Sequence, residues 1–290
     1  MAVNVQSPPA RILTLREIHG IRRMVHPSSA IRHDLRAVFI SDVHLGSRAC
    51  RAEALLDFLR GLRTETLFLV GDIVDLWSLK RSVYWPDSHT AVLQCLLGKA
   101  REGTRVVYIP GNHDHTFRGL AGHVFGNLET HREIVHETAD GRRLLVLHGD
   151  EFDGVVRFNP AVARLGCAIY DTLIAVNPAV NALRALLGLP AFSLAARLKH
   201  ATPSARRYTQ NFEEAAALAA RRRGLDGVVC GHIHHPACRE LGGVLYCNDG
   251  DWVESCTALV EEHDGALSVR HLPGFARPAA LRAVGAARAA

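Results

Sequence analysis

Five short polar strings hold the residues able to do chemistry: Asp42-Val43-His44, Gly71-Asp72-Ile73-Val74-Asp75, Gly111-Asn112-His113-Asp114, His148-Gly149-Asp150 and Gly231-His232-Ile233-His234. Together they offer carboxylates, imidazoles and an amide oxygen, the nitrogen and oxygen donor set that suits first-row divalent metals. Each string alone has an ordinary reading. Asp-x-His is common, Gly-Asp-x-x-Asp reads as a turn before a helix, and Gly-Asn-His-Asp fits a left-handed turn. The His-Gly-Asp and Gly-His-Ile-His strings would pass as solvated loops. Their placement argues otherwise, because each follows an apolar run of strand length.

Those runs are AVFIS (37–41), LFLV (67–70), VVYI (106–109), LLVL (144–147) and GVVC (227–230). They do not alternate with polar residues, which predicts strands buried on both faces. Helical stretches at 51–62 and 89–103 separate the first three, giving the strand–helix rhythm of an α/β sheet. Hairpins are predicted at 132–147, 236–248 and 256–272, so the sheets are mixed. In open α/β sheets ligands bind beyond the carboxyl ends of the strands, where these strings would converge. Glycines at 71, 111, 149 and 231 allow sharp turns and close backbone approach there.

Residues 154–200 break the rhythm. Val162, Leu165, Ile169, Leu173 and Val176 form one helical stripe, interrupted at Asn177-Pro178 and Gly188-Leu189-Pro190, which predicts a helical cap insertion. A further helix is predicted from Thr202 as N-cap and Pro203 as its first residue. The division expected is an N-terminal extension (1–35), a domain (36–274) carrying the insertion, and a low-complexity tail (275–290).

The chain has 290 residues, 48% apolar and 22% charged, with a net charge of +5. That length buries a large core. The charge is too mild for a duplex-binding surface, and no nucleic acid is expected. Seven cysteines without a C-x-x-C pair, and no apolar leader, predict reduced thiols in the cytoplasm. No run reaches the roughly 18 apolar residues of a membrane span. The expectation is a soluble chain, with at most peripheral contact on the cytoplasmic face of an inner membrane.

The ordered strings resemble the calcineurin-like metallophosphoesterase superfamily, whose blocks are D-x-H, GD-x-x-D, GNH[DE], GH and GH-x-H. The resemblance implies an α/β fold of four layers, an α-β-β-α sandwich with mixed sheets. It implies two divalent metal ions, manganese first, with iron and zinc also compatible. Asp42, His44 and His234 would bind one ion, Asn112, His148 and His232 the other, and Asp72 both. Such a pair lowers the pKa of a shared water and neutralises charge on phosphoryl oxygens. His113 is implied as a non-ligand that stabilises the transition state or protonates the leaving oxygen, oriented by Asp114. Asp75 and Asp150 would orient ligands. His235 lies outside the motif, and His89 and His115 carry no assignment.

SDVHLG, GDIVDLW, HGDEFD and GHIHHP are similar more narrowly to the UDP-2,3-diacylglucosamine diphosphatase family. That similarity implies hydrolysis of a nucleotide-linked lipid to UMP and 2,3-diacylglucosamine 1-phosphate, with the cap as an acyl-chain cleft. The cap region (154–200) with Lys199, Arg206 and Arg207 would supply substrate contacts. The apolar stripe would equally suit packing on the domain or on a second subunit. The chain departs from that family at His113, where its best-known members carry Arg and the wider superfamily has His. A phosphodiesterase acting on a soluble nucleotide or small phosphoester therefore stays open as the alternative. A noncatalytic scaffold on the same fold would have lost ligands, and every one is present.

Overall fold

Strand β1 (His33–Ile40) opens the fold, three residues inside the stretch expected as an N-terminal extension. In the computed structural model the described residues are 33–154, the four positions Val176, Val180, Arg184 and Leu186, and 203–272. Ala, Leu and Glu favour helix in the next segment, and α1 (Ala52–Gly61) buries Ala52, Leu55 and Leu59 along one face. β2 (Leu62–Leu69), α2 (Leu76–Arg81), α3 (Asp87–Arg101) and β3 (Arg105–Tyr108) follow. The hairpin β4 (Val124–Phe125) and β5 (Leu128–Thr130) comes next, then β6 (Glu133–Glu137) and β7 (Arg143–Leu147). Beyond the insertion lie α4 (Pro203–Arg222), β8 (Gly227–Cys230), β9 (Ala237–Leu241), β10 (Val244–Asn248), β11 (Thr257–Glu261) and β12 (Leu267–His271).

The strands form two mixed sheets. One has seven strands in the order β12-β11-β1-β2-β3-β5-β4, the other five in the order β6-β7-β8-β10-β9. β1, β2, β3 and β5 run parallel, as do β7, β8 and β10. Because side chains alternate across a strand, each sheet feeds two cores. Ala37, Phe39, Phe68 and Val107 of the first sheet meet Leu144, Val146, Val229 and Leu245 of the second. Phe39 and Phe68 stack there with centroids 4.5 Å apart. The opposite faces turn outward: Val38, Ile40 and Leu67 toward α1 and α3, and Leu145, Val228 and Tyr246 toward α4. The layers are thus helix, sheet, sheet, helix.

A buried carboxylate links the sheets. Glu261 of β11 accepts hydrogen bonds from Arg36 of β1 (2.5 Å), the His136 ring of β6 (2.6 Å) and the Ala139 backbone N–H (2.8 Å). Burial works against its charge, but these partners, His136 foremost, hold its pKa below the ordinary 4.5.

Most of the predicted cap and Lys199 lie outside the described residues. Within the cap, Gly154 closes a 3₁₀ turn, and the other four described positions are α-helical. α4 begins at the predicted Pro203; Thr202 is outside the described residues. Among the described residues no helix is long and apolar enough to cross a membrane.

Candidate metal centre

Parallel strands present their carboxyl ends together, and each predicted string starts within a few residues of one. β1 ends at Ile40 before Asp42 and His44, β2 at Leu69 before Asp72, and β3 at Tyr108 before Asn112 and His113. In the second sheet β7 ends at Leu147 before His148, and β8 at Cys230 before His232 and His234. Hydrogen bonds between the sheets and between neighbouring loops of one sheet sew these ends into one site. The His148 ring bonds through Nδ1 to the Val70 carbonyl (2.8 Å), and the His232 backbone N–H donates to Asp42 Oδ2 (2.8 Å). The His113 backbone N–H donates to Asp72 Oδ1 (2.8 Å).

Two of the three candidate ligand groups reproduce halves of the implied set: Asp42 with His44 and His234, and Asp72 with His148 and His232. In the first, His234 Nε2 lies 3.1 Å from Asp42 Oδ1 and 3.4 Å from His44 Nε2. In the second, His148 Nε2 lies 3.4 Å from Asp72 Oδ2 and 3.3 Å from Asn112 Oδ1. A third group, His44, Asp72 and His113, sits between them, with His113 Nε2 3.9 Å from Asp72 Oδ2.

These residues fit a pair of divalent cations. Asp42 Oδ1 is buried, and what it faces are ring nitrogens that can themselves ligate a metal, His234 Nε2 at 3.1 Å and His44 Nε2 at 3.8 Å. Burial penalises charge throughout, yet neighbouring imidazoles still hold Asp42 and Asp72 well below the usual carboxylate range. Reciprocally, burial opposes charge on His44 and His148, but Asp75, Asp72 and Asp42 raise His44 to about 9, and Asp72 and Asp42 lift His148 well above 6.5. The clustered carboxylates demand positive charge at the points where cations would sit.

The backbone is bent to serve these side chains. Among the described residues six non-glycines have positive φ: Asp42, His44, Asp72, His232, His234 and Cys256. Five of the six are implied ligands, and such conformations cost about 1–3 kcal/mol each, cost that clusters at functional sites. Two glycines are sterically required. A Cβ at Gly71 would strike the His148 ring, and one at Gly231 would strike Ser41 Oγ.

His113 is held from three sides. Its Nδ1 lies 3.0 Å from Asp75 Oδ1, its ring packs tilted against Trp77 at 4.1 Å, and the His44 ring meets it edge-on at 4.6 Å. The implied orientation by Asp114 is therefore corrected. Asp114 is fully buried, and its carboxylate accepts from the backbone N–H groups of Gly111 (2.6 Å) and Ile73 (2.8 Å) and from Tyr108 Oη (2.7 Å). It fastens two site loops to each other, and burial followed by the Asp72 charge raises its pKa. Asp75 also stands 3.6 Å from His44 Nδ1, and its pKa is driven far down, His113 outweighing the cost of burial. Asp150 pairs with Arg118 (2.6 Å) instead of a ligand. His89 accepts the Gly46 N–H (3.0 Å) in a buried structural role, and Arg206 and Arg207 are exposed on α4.

Three contributors were missed in the sequence. Ser41 Oγ lies 2.5 Å from Asp42 Oδ2 and 2.6 Å from Asp249 Oδ1, bridging the two carboxylates. Asp249 follows β10 in the string NDGDW, a strand-end polar signature like the other five. Trp77 was visible only as the last letter of GDIVDLW.

Residues 35–236 match the calcineurin-like phosphoesterase family. The UDP-2,3-diacylglucosamine hydrolase of Xanthomonas campestris pv. campestris is 27% identical over 266 residues, covering 80% of this chain and 97% of the relative. The protein of the same name from Blochmanniella pennsylvanica is 28% identical over 116 residues, 39% of this chain and 46% of its own. Among solved structures, Yfce, a phosphoesterase from E. coli, superposes with a TM-score of 0.44 at 18% identity, over 86% of this chain and 99% of that one.

Proposed function

The chain belongs to the calcineurin-like phosphoesterase family and is a hydrolase, and from that premise we propose that it cleaves the pyrophosphate of UDP-2,3-diacylglucosamine or a related nucleotide-linked lipid, using two divalent cations. The observation that carries the dinuclear reading is the position of Asp72, a member of two adjoining ligand groups. Asp42, His44 and His234 would hold one ion, Asn112, His148 and His232 the other, with manganese the proposed metal. Bound there, the ions supply a water of lowered pKa and neutralise phosphoryl oxygens.

The chain's own residues handle the departing group. Hydrolysis adds water to one phosphorus and breaks one P–O bond, so the leaving oxygen needs a proton. His113 keeps Nδ1 on Asp75, which leaves Nε2 to face the reacting phosphate and deliver that proton. The lipid substrate rests on the similarity to UDP-2,3-diacylglucosamine hydrolases over 80% of this chain. We also assign the chain peripheral contact with the membrane surface where such a lipid resides.

Asp72→Ala is expected to abolish hydrolysis and lower metal content; near wild-type turnover with full metal would sink the dinuclear assignment. Product analysis on UDP-2,3-diacylglucosamine, its deacylated counterpart and simple phosphodiesters tests the substrate. Strong preference for the acylated compound is expected. Equal rates on the soluble compounds would favour the phosphodiesterase reading, toward which His113 in place of Arg leans.

A further inference from the structure

Asp153 is the penultimate residue of a short 3₁₀ turn, Asp150–Gly154, that leaves the His148 loop. Both of its carboxylate oxygens lie 3.0 Å from Nε2 of His232. The hydroxyl of Tyr208, on α4, donates to Asp153 Oδ1 at 2.8 Å. The His232 ring is thus gripped at one nitrogen, while Phe212 tilts against it (5.9 Å) and His148 meets it edge-on (5.2 Å).

A neutral imidazole carries one proton, and an ionised carboxylate can only accept. Nε2 must therefore be the protonated nitrogen, and Nδ1 the one with a free lone pair. His148 shows the mirrored arrangement: Nδ1 is committed to the Val70 carbonyl, and Nε2 faces Asp72 and Asn112. Carboxylates opposite ligand imidazoles fix the tautomer and raise the basicity of the ligating nitrogen.

Building on the dinuclear reading, we propose that Asp153 is a positioning residue for the second cation, holding His232 in the Nε2–H tautomer so that Nδ1 ligates beside Asp72 and His148. Through Tyr208 the same carboxylate joins the chain on either side of residues 155–202. The strength of the second ion's site is therefore set partly by contacts of α4, outside the ligand set.

The test is calorimetric titration of the metal-stripped full chain with Mn²⁺ alone, for wild type, Asp153→Ala and Asp153→Asn. Asp153 is half exposed, and each variant's fold is checked by its melting temperature in chelator. Asp153→Ala is expected to weaken the second of two ions about 10- to 100-fold and leave the first unchanged. Asp153→Asn, whose amide oxygen still accepts from Nε2–H, should recover most of that loss. Unchanged affinities in Asp153→Ala would overturn the inference. Equal losses in both variants would overturn it too, by making the charge itself, and not the acceptor, the contributor. A wild-type chain that binds a single ion would instead overturn the dinuclear reading, and this inference with it.

Discussion

His113 acts through what holds it. With Asp75 on one nitrogen and Trp77 across its face, the ring needs no search for its working orientation. His113→Ala is expected to lower kcat by roughly 10²- to 10⁴-fold, with both ions still present by metal analysis. Loss of metal in that variant would make His113 a ligand, which its place in the third donor group allows. Asp75→Asn should lower kcat less, with little change in KM. The five strings in the sequence picked out the side chains that the fold brings together, because ligand chemistry restricts side-chain type tightly. They did not show which side chain holds which. Asp114 is the immediate neighbour of His113 in the chain but turns away to bind backbone N–H groups, and the ring's true partner comes from 38 positions back. Asp153 and Asp249 escaped notice for the same reason, since each acts across the fold on a residue distant in sequence.

Strands buried on both faces made the elements legible: Val, Ile and Phe runs at β1, β2, β3, β7 and β8 leave little doubt about period or length. The hairpins β6–β7, β9–β10 and β11–β12 were equally plain, each marked by Gly or Asp at its turn. The short hairpin β4–β5 was not, because two or three residues per strand give no period to read. Nor does a strand pattern reveal that Glu261, at the end of a fully buried β11, links two sheets. Its pKa is depressed in the fold, so its stabilisation is present above the unfolded value near 4.5 and fades as pH falls through the folded one. Glu261→Gln should therefore lower stability by about 1–3 kcal/mol at neutral pH. In urea titrations the gap to wild type should narrow well below pH 4.5. A gap that is constant with pH would mean the carboxylate's charge contributes nothing.

For the molecule as a whole, the proposed lipid substrate asks for a surface that meets a membrane. Val176 and Leu186, both helical, are 47% and 84% exposed, and the chain carries +5 overall. Binding to vesicles containing anionic phospholipid is expected, weakening as salt rises, and reduced in Leu186→Asp while hydrolysis of a soluble phosphodiester is unchanged. Vesicle binding indifferent to both salt and Leu186→Asp would argue against this surface. The five proposed ligands with left-handed backbones have a consequence for the protein's history. Glycine or asparagine would rest more easily at each of them. If the proposed ions were no longer needed, a descendant of this chain would gain toughness by drifting to those residues, so acids and imidazoles there are expected to last only under selection for the proposed hydrolysis.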